Sequence, residues 1–118
     1  MKTIRNFAIA ILGVFAFTTT QAQTSVTDSV MVNGNCGMCK KNIEKSAMTA
    51  GADVAVWDKR SKWLKVTFDP AKTNTDKIQK EVAAGGYDTQ DVKANDEAYS
   101  KLEECCQYDR TSIKPKSK

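Results

Sequence analysis

The sequence predicts an α+β fold: a βαββαβ sandwich, two helices over an antiparallel sheet, with a C-terminal helical extension. Three observations predict it. Residues 63–68 (WLKVTF) alternate apolar and polar side chains, the period of a half-buried strand. Cys39, Ile43, Ala47 and Ala50 recur at helical spacing and share one face. Gly34, Gly51, Asp69-Pro70 and Gly85-Gly86 then cut the chain into short segments of alternating type. The 118 residues allow one small domain, since domains run to ~100–200 residues, and exclude a multidomain enzyme.

The elements follow in order. Residues 26–33 (VTDSVMVN) are rich in strand formers and end at Gly34, so they form the first strand. Residues 34–39 (GNCGMC) form a loop, and 40–50 form a helix stopped by Gly51. Residues 53–59 (DVAVWDK) form a second strand whose two faces are both apolar, leaving its register open. In the third strand Leu64, Val66 and Phe68 face one way and Trp63, Lys65 and Thr67 the other, and Asp69-Pro70 ends it. Asn74 or Thr75 caps a second helix with Ile78 and Val82 on its apolar face. Gly85-Gly86 closes that helix, because glycine takes the left-handed conformation that helix C-termini favour. Residues 87–93 (YDTQDVK) make a short fourth strand, which completes a ferredoxin-like arrangement. A third helix is expected over 95–104 with Asn95 as its cap, and residues 107–118 are expected to fray. Trp57 and Trp63 read as core or open-face packing.

Residues 1–22 stand apart. Lys2 and Arg5 precede an uncharged apolar run over residues 7–17, and Thr20-Gln21-Ala22 offers small residues for a cut after Ala22. This is the signal-peptide pattern, so an exported protein, periplasmic or secreted, is expected. The run is shorter than the ~20 residues that span a bilayer, so no stable membrane insertion is expected after cleavage. The formal charge of +4 falls to +2 without this segment, which carries two cations and no acid. Only Lys114, Lys116 and Lys118 cluster, and they read as a solvated tail, so no nucleic-acid partner is expected. The absence of His removes the usual general base and the commonest metal ligand. With no nucleophile–base pair, no catalysis is expected.

The chemistry rests on the four cysteines. Cys36-Gly37-Met38-Cys39 lies between a strand and a helix. Two cysteines at that spacing bring their sulfurs close enough to clamp one ion or to form a disulfide. Unpaired N–H groups and the dipole at a helix start favour the thiolate, the form that binds metal, and Lys40 and Lys41 add positive charge. Thiolates without His or carboxylate suit soft ions such as copper(I) or mercury(II).

Gly34 to Cys39, the helix carrying Ile43, Val66-Thr67-Phe68-Asp69-Pro70 and Gly86-Tyr87-Asp88 together resemble the heavy-metal-associated domain. That family includes copper chaperones, the metal-binding domains of copper-transporting ATPases and periplasmic mercury-binding proteins. The resemblance covers residues 26–93. It implies a domain over 25–93 with a surface metal loop, and it makes Cys36 and Cys39 the ligands. Tyr87 would sit beside the loop, packing there and tuning it through its neighbours. The cargo implied is a soft metal ion, copper(I) first, with mercury(II) or zinc(II) as alternatives. The partner implied is a metal-transporting membrane protein or another thiol-containing metal carrier. The chain departs from the family in its loop: Asn33-Gly34-Asn35 stands where the family has Gly-Met-Thr, and Met38 lies between the cysteines.

Met38 reads as a loop residue covering the site or as a thioether ligand. Cys105 and Cys106 are neighbours that would point ~100° apart on a helix, so both could not serve one partner without a break. Either the 94–118 extension folds back and supplies one or two further thiolates, or the pair is a packing or disulfide feature. A closed four-cysteine zinc site has the right count. Two other classes stay open: a thiol–disulfide redox protein using Cys36 and Cys39, and a structural domain held by disulfides. Against a thioredoxin-like fold, neither Pro70 nor Pro115 sits before a strand, where that fold places its cis proline.

Overall fold

The structure, a computed structural model, describes residues 24–110. The expected signal peptide, residues 1–22, and residues 111–118 of the tail lie outside the described residues. Strand β1 (Val26–Met31), helix α1 (Gly37–Thr49), strands β2 (Val54–Trp57) and β3 (Trp63–Phe68) and helix α2 (Thr75–Ala84) follow in chain order. Helix α3 (Asp96–Ser100) and a 3-10 turn (Glu104–Cys106) complete the elements. The sheet runs β1-β3-β2, with β3 antiparallel to both neighbours. The fold is therefore α+β, as expected.

The alternation in β3 sets the sheet's two faces. Leu64 and Val66 are fully buried and Phe68 nearly so. Val30 lies opposite Leu64, and Trp57 lies opposite Leu64 from the other side. Directly paired residues share a face, so these side chains meet under the helices. Helix α1 contributes Cys39, Ile43 and Ala47, and α2 contributes Ile78 and Val82, all buried. Burying each of the larger aliphatics stabilises the fold by about 1.5–3 kcal/mol. The open register of β2 resolves with Trp57 inward and Val54 and Val56 outward, the latter two half exposed beside Trp63. Asn74 caps α2, its side chain accepting the Lys77 N–H at 2.8 Å.

Three expectations need correction. Residues 87–93 do not form a strand. Val32 bridges Thr89 alone, flanked by hydrogen bonds from Asn33 N to Asp88 O (2.9 Å) and from Gln90 N to Met31 O (2.7 Å). Beyond that point the chain turns. Thr89 N donates to Val92 O at 2.8 Å, and the buried Gln79 side chain of α2 accepts the Asp91 N–H at 2.8 Å. A side chain thus takes over from the ladder and stops it.

The third helix does not reach the cysteine pair. Asn95 caps it as expected, accepting the Ala98 N–H at 2.7 Å, but α3 ends at Ser100 and Cys105-Cys106 belong to the separate 3-10 turn. Nor do residues 107–110 fray. Tyr108 is buried at 2% exposure between Tyr87 and Tyr99, with ring centroids 6.1 and 4.9 Å away. Arg110 pairs with Asp88 at 2.7 Å. Buried aromatic area and a charge-assisted pair outweigh the weak apolar content of this stretch.

Candidate metal centre

The loop between β1 and α1 is shaped by what lies beneath it. The Trp57 indole is 1% exposed, and its Nε1–H donates to Val32 O at 3.0 Å. Gly34 lies against that ring: a Cβ there would stand 3.0 Å from the indole and 3.1 Å from Ile43 Cδ1, so a side chain would lift the loop. Lys62, at the positive φ of 71° in the β2–β3 turn, donates its Nζ to Gly34 O and lies 5.7 Å over the indole. Glu44 accepts the Trp57 N–H at 2.8 Å and pairs with Lys40. Trp57, Lys62 and Glu44 thus form the loop's support, a role the sequence reading missed. One signal was present: a buried tryptophan needs an acceptor for its N–H.

Cys36 occupies the N-cap of α1 with extended backbone (φ −135°, ψ −179°), and its carbonyl accepts the Lys40 N–H at 3.0 Å. The helix starts at Gly37, three residues before the expected start, which places Cys39 in its first turn. Cys39 is fully buried, and the Asn35 N–H points at its sulfur at 3.4 Å. The Cys36 and Cys39 sulfurs stand 3.5 Å apart.

The tail brings two further sulfurs to the same point. Cys105 Sγ lies 3.2 Å and Cys106 Sγ 3.6 Å from Cys36 Sγ. The sulfurs of Cys36, Cys39 and Cys106 all lie within 4.8 Å of one another. Cys106 is fully buried, Cys105 is exposed, and all four cysteines are free thiols. Met38 is 45% exposed on the first turn of α1. Tyr87 is buried at 1%, below the thiols. Its hydroxyl accepts from Asn42 Nδ2 at 3.0 Å.

The four thiols are not equivalent. Burial raises the Cys36 pKa, but hydrogen bonds from the Cys39 N–H and with the Cys105, Cys39 and Cys106 thiols outweigh it, and the group falls to about 6. Burial and the bond to Cys39 push Cys106 well above the ordinary thiol range. The bond to Cys36, then burial, raises Cys105. At neutral pH the ring of sulfurs therefore holds Cys36 as a thiolate and Cys105 and Cys106 as thiols. The α1 N-terminus carries no acid in its first turn, so its dipole favours that negative charge. A soft cation entering such a ring displaces the thiol protons and takes their place among the sulfurs.

No protein-family pattern matches the chain, and no curated protein matches it. Solved structures do. A CopZ metallochaperone superposes with a TM-score of 0.52 at 23% identity, over 54% of this chain and 98% of that one. A putative copper-ion-binding protein from Bacillus anthracis str. Ames does so with a TM-score of 0.54 at 24% identity, over 58% of this chain and 100% of the other. Oxidised MerP from Ralstonia metallidurans CH34 gives a TM-score of 0.53 at 28% identity, over 56% of this chain and 94% of the other. The first two likenesses are likenesses of fold. The expected α+β fold, helices over an antiparallel sheet, is shared with these structures.

Proposed function

We propose that this chain is an exported binding protein for a soft metal ion, copper(I) by preference, held by Cys36 and Cys39. The observation that carries the reading is the pair of sulfurs 3.5 Å apart at the start of α1, with Cys36 the thiolate of the set. An all-sulfur donor set selects soft cations over hard ones. The names of the solved structures with this fold, a metallochaperone and a copper-ion-binding protein, support copper among those ions. The ion passes to a metal-transporting membrane protein or another thiol carrier by ligand exchange. The incoming thiol gives up its proton and forms a metal–sulfur bond, one bond to this chain breaks, and the released sulfur takes a proton. No electron moves. Export rests on the basic start, apolar run and small-residue cut of residues 1–22.

Native mass spectrometry of the reduced protein, offered copper(I), mercury(II) and zinc(II) together, tests the reading. One soft ion per chain is expected, lost in Cys36→Ser and in Cys39→Ser. Equal retention by both variants against a chelator sinks it. A second reading draws on one observation: Cys36 stands within 3.6 Å of the other thiols, poised for disulfide exchange. Insulin reduction at a rate that depends on Cys36 would favour that redox reading.

A further inference from the structure

The tail is docked where a metal ligand is wanted. We propose that Cys106 is a third ligand, so that the cargo ion is held by three sulfurs: Cys36, Cys39 and Cys106. The inference rests on the soft-metal reading above and adds the tail to it.

Distance is the first argument. With metal–sulfur bonds of ~2.3 Å, two sulfurs across a linear ion stand ~4.6 Å apart and three around a trigonal ion ~4.0 Å apart. The spacings of 3.5 Å from Cys36 to Cys39 and 3.6 Å to Cys106 lie closer to the trigonal case. A linear site would have to push Cys39, fixed in the core, away from Cys36.

The second argument is the chain break. On one continuous helix Cys105 and Cys106 would diverge by ~100°, so at most one could be aimed. Here the 3-10 turn buries Cys106 and leaves Cys105 exposed. The buried sulfur has the Cys36 and Cys39 sulfurs within 4.8 Å, which are polar neighbours for a residue placed only to fill space.

The third argument is that the loop is built to receive the tail. Asn33 Nδ2 donates to Asp109 O at 2.9 Å, and Asn35 Nδ2 donates to Cys105 O at 3.4 Å. Both asparagines flank Gly34 in the loop that leads into Cys36, and their acceptors flank Cys106 in the tail, so hydrogen bonds join the loop to the tail on both sides of Cys106. The solved structures of this fold are matched over 94–100% of their length but cover 54–58% of this chain. The chain thus carries more than the shared body.

A third sulfur changes what the site does. It suits a soft ion that accepts three thiolates, such as copper(I). It also fills the position an acceptor's thiol would enter, so the protein retains its ion more than it relays it.

X-ray absorption on the full, reduced, copper(I)-loaded chain counts the sulfurs directly. Three are expected in the wild type and in Cys105→Ser, and two in Cys106→Ala. Alanine suits the buried position, and the wild-type count decides even if that variant does not fold. Affinity for copper(I) against a chelator should fall in Cys106→Ala by at least the roughly 10–100-fold that loss of an outer-sphere partner costs. Two sulfurs in the wild type, or a count that falls in Cys105→Ser and not in Cys106→Ala, overturns the assignment. Either result leaves the soft-metal reading standing, provided Cys36→Ser and Cys39→Ser still abolish binding. Binding that survives those two variants would defeat the underlying reading instead.

Discussion

The Tyr108 hydroxyl donates to the Gly86 carbonyl oxygen at 2.7 Å and accepts the Asp88 N–H at 2.8 Å. One side chain from the end of the described chain thereby satisfies two backbone groups in the turn after α2. Gly86 has a φ of 105°, and a Cβ there would stand 2.9 Å from Ala98 O, so the turn has no room to adjust. Tyr108→Phe keeps the ring stack and orphans both groups. A loss of about 1–3 kcal/mol is expected for leaving buried polar groups unpaired. Urea unfolding of the reduced apo protein measures it, and an unchanged midpoint would mean that water replaces the hydroxyl.

The body should fold without metal. Phe68, 4% exposed, joins Leu64, Val66, Ile78 and Val82 in a core that does not depend on a bound ion. Phe68→Ala should cost about 3–5 kcal/mol as a large-to-small core change. A cooperative thermal melt of chelator-treated, reduced protein, shifted down in the variant, is the expected result. A melt without cooperativity would place the folding energy in the metal instead.

The legibility of these features differs by physical cause. Strand β3 could be read residue for residue because one of its faces is buried and the other is not, which writes a period of two into the sequence. The N-cap of α2 was legible because asparagine's side chain does locally what the helix lacks. Cys36 and Cys39 were legible as a pair because both lie on one local turn. The tail was not, because its contacts are long-range and carry no period: Asn33 meets Asp109 across 76 residues. The missing fourth strand follows from Gln79, a side chain on another element, and Trp57's place under the loop follows from an acceptor 25 residues away.

Cys36 should titrate apart from its neighbours. Its pKa of about 6 lies below the ordinary 9.0, while Cys105 and Cys106 are shifted upward. Iodoacetamide modification, mapped by peptide mass spectrometry, should rise at Cys36 with a midpoint near pH 6. Cys105 should lag until well above that. The fold favours the Cys36 thiolate, so the stability it contributes is complete above pH 9.0, shrinks as the pH falls and is gone below about pH 6. A Cys36 midpoint near 9 would remove the premise of a preformed thiolate.

Tyr87→Phe should act on the site more than on the fold. The ring keeps its stack on Tyr108, while the hydroxyl's bond to Asn42 is lost. Asn42 is exposed and can turn to water, so stability should fall by only about 0.5–1.5 kcal/mol, the net worth of one hydrogen bond. Copper(I) affinity should change less than in Cys36→Ser or Cys39→Ser. Collapse of the fold would show that the phenol is a structural anchor.

Arg110 tests whether the tail is held or merely resting. Its Nε and Nη2 grip Asp88 Oδ2 and Oδ1 at 3.0 and 2.7 Å, Nη2 also reaches Ala94 O at 2.6 Å, and Nη1 meets Asp96 at 2.8 Å. The guanidinium lies 4.8 Å over the Tyr99 ring. Its side chain is 19% exposed and that of Asp88 9%, so the Asp88 pair is largely shielded from water and from salt, while the Asp96 contact is not. A lysine cannot reproduce a planar fork, so Arg110→Lys should fall between wild type and Arg110→Ala. Losing hydrogen bonds to a charged group costs about 1.5–3 kcal/mol. That loss falls on the tail first, because Asp88 keeps the Ala94 N–H at 2.9 Å and the hydrogen bonds of Arg110 go to Asp88, Ala94 and Asp96, outside the strands and the two long helices. The readout is therefore the reactivity of Cys106, buried in the docked tail. In apo Arg110→Ala its alkylation should speed up several-fold more than that of Cys39, with the melting of the body little changed. Equal rates for Cys106 in wild type and variant would show that Tyr108 and the two asparagines hold the tail without the ion pair.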